Sequence, residues 1–277
     1  MKKIFLIPNL VTAFSLICGL FVIFRMAMVE PGAMTFSLVQ TSVILLLIAA
    51  IADVLDGAIA RFIKAESEFG VQFDSLSDAV TFGVAPAVVI IKTVSPLPGE
   101  PLFFIIISAC LIYSACGILR LVRYNVASHC VESDAELKKL HKKHFTGLPI
   151  PAGALALISL NFFLTSPNFE LLIDVTSRTH TPILSGTALI LGYLMVSRWK
   201  FPSIKSLHFR VRSSHLILGT VLIVLALIYG ISHQFSLLLL IVVWSYIALA
   251  CILSVVRSIA GRRSKLLEEF EPDPEEE

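Results

Sequence analysis

Charge is scarce in this sequence. Asp, Glu, Lys and Arg make up 15% of its 277 residues, against about 25% in an ordinary soluble domain. That shortage excludes both a soluble globular enzyme and a disordered chain. Cysteine is also sparse and odd in number. Cys18, Cys110, Cys116, Cys130 and Cys251 stand mostly in apolar runs with no C-x-x-C pair, and they read as small core residues rather than disulfides or a thiolate metal site. The sequence has no internal repeat and no Ser/His/Asp constellation. No small-residue cleavage site follows Lys2 and Lys3, so the first apolar run is expected to be a span rather than a leader.

What the sequence does have is apolar length. Hydrophobic residues make up 56% of it, and the mean hydropathy is +0.87. An all-α polytopic membrane protein is the expected class. Eight spans are predicted, near residues 9–28, 35–55, 75–95, 101–119, 148–166, 182–197, 214–231 and 235–256. Pro31-Gly32, Pro96-Leu97-Pro98-Gly99, the polar 124–146 segment and Ser232-His233-Gln234 separate some of them.

The few charges are unevenly placed. Residues 268–277 carry seven of the 20 acidic residues, a short acidic tail expected to be disordered. The remainder has 22 basic against 13 acidic residues, as suits basic loops beside anionic lipid. Of the Lys and Arg residues, 19 fall on one side of the predicted spans and three (Arg25, Lys92 and Arg178) on the other. The positive-inside rule then places both termini in the cytoplasm. The basic residues mark span ends instead of forming one patch, which argues against a nucleic-acid partner.

One stretch breaks the apolar pattern in a way that carries chemistry. It reads Asp53-Val-Leu-Asp56-Gly57-Ala-Ile-Ala60-Arg61, eight residues, Gly70, three residues, Asp74, three residues, Asp78. Asp53 and Asp56 are three apart and Asp74 and Asp78 four apart, so each pair shares one face of a helix. Ionisable groups at the ends of two consecutive spans are expensive and default to a functional reading. Four crowded carboxylates repel unless cations neutralise them. Two divalent ions would balance them, and an all-oxygen set suits Mg²⁺ or Mn²⁺ over Zn²⁺. Paired ions near 4 Å apart form a clamp for displacement at phosphorus. Gly57 and Ala60 would let a flat ligand approach the helix, Arg61 would pair with a phosphate, and Gly70 would permit the turn between spans.

This run resembles the D-x2-D-G-x2-A-R-x8-G-x3-D-x3-D pattern of the CDP-alcohol phosphatidyltransferases at all eight positions. The resemblance implies a six-helix membrane core, here with two additional C-terminal spans, and a homodimer. It also implies transfer of a phosphatidyl group from a CDP-alcohol with release of CMP. It assigns Asp53, Asp56 and Asp74 to a two-metal site, and Asp78 to both metal ligation and deprotonation of the acceptor hydroxyl. Gly57, Arg61 and Ser67 would contact the CDP-alcohol.

Further segments resemble the phosphatidylserine synthase branch of that family. Pro8-Asn9-Leu10-Val11-Thr12 looks like its P-N-x-x-T entry motif, which adds Asn9 and Thr12 to the residues expected at CDP-diacylglycerol; Asn9 could equally cap the first helix. Arg120-Leu-Val-Arg123-Tyr124-Asn125 is similar to its R-L-x-R-[FY]-N. Arg120 and Arg123 could reach one anion, a serine carboxylate or lipid phosphate, or could be ordinary positive-inside anchors. Phe145-Thr146-Gly147-Leu148-Pro149-Ile150-Pro151-Ala152 resembles its F-x-G-L-P-x-P-A, where a helix start would face an anion near Gly147.

The expected activity is transfer of the phosphatidyl group of CDP-diacylglycerol to L-serine at the cytoplasmic face of a bacterial-type inner membrane. Alternatives are another acceptor (glycerol phosphate, inositol phosphate or choline) or a cation-coupled transporter. The resemblance covers residues 8 to about 205, so a catalytic domain is expected over 1–205, with two extra spans over 206–258 and a charged tail over 259–277 read from hydropathy and charge alone.

Overall fold

The computed structural model describes residues 6–30, 32–63, 67–95, 101–131, 147–167, 177–197 and 234–260. The predicted seventh span and the acidic tail lie outside them. Where no water reaches, every backbone N–H and C=O must be satisfied within the chain, and an apolar helix does this alone. The described residues are accordingly helical, without a strand. In chain order the helices are α1 (Leu6–Ala27), α2 (Phe36–Phe62), α3 (Glu68–Asp78), a π-helical segment (Ala79–Val84), α4 (Ala85–Val94), α5 (Pro101–Val131), α6 (Ile150–Leu164), α7 (Ser177–Val196) and α8 (Phe235–Ala260). Helices α1, α2, the continuous 68–94 run, α5 and α8 each contain a stretch long and apolar enough to cross a membrane. Helix α6 and the apolar part of α7 are shorter.

Two boundaries differ from the sequence expectation in a way that matters. The second span was expected to stop at residue 55 and the third to begin at 75, but the helices run on to Phe62 and back to Glu68. Hydropathy falls at the first charges, whereas backbone hydrogen bonding continues through them. At 1.5 Å per residue, the 27 residues of α2 span about 40 Å, roughly two turns more than a 30 Å hydrocarbon layer. The carboxylates therefore project from rigid helix, not from a loop. Similarly, α5 continues to Val131, into the predicted polar segment.

Helices α1–α7 form one unit, and α8 belongs to another. Within the first unit, α1 packs along α2 and against α3, the π segment and α4, while α5 packs most extensively on α7. Polar hydroxyls and a missing side chain bring α1 together with α2 and the third span. Ser15 Oγ donates to Ala49 O of α2 at 3.2 Å, and Thr81 Oγ1 donates to Ser15 O at 3.4 Å. A Cβ on Gly19 would sit 2.5 Å from Thr81 Oγ1 and 2.8 Å from Thr81 Cα, so only glycine permits this approach. At the opposite end of the same helices, Lys92 Nζ donates to Val29 O at 2.9 Å.

The third span is continuous but not uniform. Pro86 has no N–H for the carbonyl four residues earlier, that of Phe82. The helix widens there into a π turn, with the Ala85 N–H bonded to Val80 O. Helix α5 supplies donors to the loosened carbonyls: Tyr113 Oη to Phe82 O at 3.0 Å and Ser114 Oγ to Gly83 O at 2.8 Å.

Gly19→Ala is expected to force α1 away from the π segment and to cost about 1–3 kcal/mol, read as a lower Tm of the purified protein. Gly186→Ala, whose added Cβ meets nothing within 4 Å, is the matched control and should not lower Tm.

Candidate active site

The carboxylate site is built where the end of α2 meets the start of α3. Helix α2 finishes with the Ile63 N–H bonded to Ile59 O. Ser67 then caps α3, its Oγ accepting from Gly70 N at 3.0 Å. Gly70 is thus helical, and the turn it was expected to permit precedes it. Its bare Cα serves a different purpose: a Cβ there would lie 3.1 Å from Ser67 Oγ and 3.2 Å from Asn9 Oδ1. Because α1 begins at Leu6, Asn9 is not that helix's cap. Its amide instead approaches the first turn of α3.

Asp53, Asp56 and Asp74 each present a carboxylate oxygen within 4.8 Å of the others. Asp78 lies outside that trio, but Asp53 interacts through its side chain with both Asp74 and Asp78, so the four acids form one connected group. Asp56 is buried, and its Oδ2 lies 2.6 Å from Thr12 Oγ1. Asp74 Oδ1 is buried too, and no described residue donates a hydrogen bond to it. A buried carboxylate oxygen without a donor is costly unless a cation faces it. The donor set is entirely oxygen, which fits a hard divalent cation such as Mg²⁺ or Mn²⁺.

The predicted neighbours take definite places. Arg61 folds back one turn along α2, where a Cβ on Gly57 would lie 3.4 Å from its Nη1. The guanidinium therefore lies beside the carboxylate group with its head exposed, suited to a phosphate held between cations and Arg. Ala60 lies between Gly57 and Arg61 on the same helix. Ser67 spends an acceptor on its cap and keeps a hydroxyl proton to donate.

The candidate anion contacts of α5 are tied into the fold. Arg123 Nη1 donates to Val196 O at the end of α7 at 3.1 Å, a cation at a helix C-terminus. Half-buried Arg120 is one turn earlier. Asn125 Nδ2 donates to Ser75 Oγ at 2.9 Å, fastening α5 to the residue after Asp74. Gly147 adopts a φ of +88°, which turns the chain into α6, and the next N–H, of Leu148, donates to Leu194 O of α7 at 3.1 Å.

Sequence reasoning missed two features of this region. One is the π turn immediately after Asp78, for which Pro86 inside an apolar run was the available signal. The other is the polar seam on α1, signalled by Thr12, Ser15 and Gly19 sharing one helical face.

A model of the CDP-alcohol phosphatidyltransferase family matches residues 5–199. The chain belongs to that family. Among its relatives, the CDP-diacylglycerol–serine O-phosphatidyltransferase of Mycobacterium tuberculosis (strain ATCC 25618 / H37Rv) is 36% identical over 155 residues, 56% of this chain and 48% of that protein. The chain thus spans about half the length of its mycobacterial relatives. Proteins of the same name are 33% identical in Bacillus subtilis (strain 168), covering 72% of this chain and 91% of the relative, and 33% identical in Methanocaldococcus jannaschii, covering 73% and 76%.

Tyr113→Phe should leave the Phe82 carbonyl without its donor and cost about 1–3 kcal/mol. Thermal unfolding checks this: an unchanged Tm would mean that the π turn does not need the phenol.

Proposed function

We propose that this protein is a phosphatidylserine synthase, transferring the phosphatidyl group of CDP-diacylglycerol to the hydroxyl of L-serine and releasing CMP. The observation that carries the proposal is the trio Asp53, Asp56 and Asp74 with its unpartnered Asp74 oxygen, beside Arg61 at the ends of two long spans. The names of the relatives support serine as the acceptor.

In this reading Asp53, Asp56, Asp74 and Asp78 hold two divalent ions, Mg²⁺ or Mn²⁺. Bound there, the ions would offset the charge of the diphosphate and of the departing CMP. Arg61 pairs with a phosphate, and the small residues Gly57 and Ala60 let the nucleotide lie along α2, with Asn9 and Ser67 at its edge. Asp78 accepts the proton of the serine hydroxyl as that oxygen bonds to the β-phosphorus. The bond from this phosphorus to the bridging oxygen breaks, and the electron pair leaves with CMP. Arg120, Arg123 and the segment at Gly147 are candidates for the serine carboxylate or the lipid phosphate.

The charge bias of the loops supports cytoplasmic termini and a cytoplasmic site in a bacterial-type inner membrane. CDP and serine then arrive from water while the acyl chains stay in lipid. The catalytic domain is taken as residues 1–205, acting as a homodimer, with 206–258 as two further spans and 259–277 as a charged tail.

Asp78→Asn should keep the Tm of the parent while CMP release falls about 10²–10⁴-fold; near-normal turnover would remove the base from the mechanism. Purified protein given CDP-diacylglycerol and Mn²⁺ or Mg²⁺ should release CMP with serine. Release with glycerol 3-phosphate, inositol phosphate or choline instead would assign another acceptor.

A further inference from the structure

Resting on that metal-site reading, we propose that Thr12 is a positioning residue: it orients the Asp56 carboxylate for the cation and locks together the two helices that carry the acids. This differs from the contact with CDP-diacylglycerol that the P-N-x-x-T resemblance implies for Thr12.

Three observations converge on this residue. Thr12 is only 4% exposed, as is Asp56, so neither hydroxyl nor carboxylate is open to bulk water. Its Oγ1 lies 2.6 Å from Asp56 Oδ2, the short distance of a hydroxyl donating to an ionised acceptor. Its other neighbour, Pro8 O, is farther away at 3.1 Å. The Thr12 main-chain carbonyl, meanwhile, accepts from Ser77 Oγ at 3.3 Å, the residue just before Asp78. One residue of α1 therefore holds a carboxylate of α2 through its side chain and the Asp78 turn of α3 through its backbone. The links Ser15 to Ala49 and Thr81 to Ser15 continue the same seam.

The physical consequence is a loss of freedom where freedom would weaken cation binding. An Asp side chain rotates about two bonds, and α2 and α3 can slide relative to each other. Groups hydrogen-bonded to ligating carboxylates restrict such motion, and removing them typically costs 10–100-fold in metal affinity. Valine at position 12 keeps the branched shape of threonine and deletes the hydroxyl, whereas serine keeps the hydroxyl.

The test is Mn²⁺ binding to the purified full chain without nucleotide, followed by the paramagnetic resonance of free Mn²⁺. Alongside it run the KM for CDP-diacylglycerol at saturating Mn²⁺ and the Tm. Thr12→Val should weaken Mn²⁺ binding about 10–100-fold, leave that KM unchanged, and leave the protein folded. Thr12→Ser should restore the affinity. In an Asp56→Asn background, Thr12→Val should add no further loss. If Thr12→Val fails to fold, the smaller Thr12→Ala carries the same comparison.

Unaltered Mn²⁺ affinity in the hydroxyl-less variant would overturn the proposal, and a raised KM alongside it would make Thr12 a ligand contact. If the parent protein itself binds no Mn²⁺, the metal-site reading of the function falls first, before any substitution is considered, and this inference falls with it.

Discussion

Everything in this fold answers to one electrostatic constraint: four carboxylates stand close together on two helices that are otherwise built for lipid. Water cannot solvate them fully, and their mutual repulsion acts on the helices that carry them. Two devices make the arrangement tenable. Rigid α2 and α3 extend past the apolar layer far enough to bring the acids to its border. The acids also lie near enough to share a cation, with Arg61 folded back beside them. The same features that make the group costly without a cation suit it to hold one.

Around that group the helices are fastened by hydroxyls rather than by greasy contact. In a bilayer, apolar side chains gain little by leaving lipid for one another, so small residues and hydrogen bonds decide which helices meet. Helix α1 illustrates this, with Thr12, Ser15 and Gly19 on one face engaging Asp56, Ala49, Ser77 and Thr81. Helix α5 does the same from the other side, through Tyr113, Ser114 and Asn125. The site is thereby held by two helices that contribute none of its four acids.

The acids were legible in the sequence because their spacing is local: three or four residues along a helix set a shared face without knowledge of the fold. The all-helical class was legible for a similar reason, since an apolar run of span length has few other ways to satisfy its backbone. Helix ends were less so. The predicted limits at 55, 75 and 119 mark where polarity rises, while the helices continue through Arg61, Gln72 and Arg123. Least legible were contacts such as Thr12 with Asp56, separated by 44 residues, because they exist only once α1 has packed on α2. The closeness of Asn9 to Gly70 belongs to the same class.

The π turn also bears on how the chain is assembled in the bilayer. When the third hydrophobic segment emerges from the insertion machinery, its Phe82 carbonyl has lost its helical partner to Pro86, and the phenol that will bond to it belongs to a segment not yet made. A bare carbonyl among acyl chains is unfavourable by several kcal/mol. Pairing of the third and fourth hydrophobic segments is therefore favoured by a polar bond as well as by packing, once both lie in the bilayer.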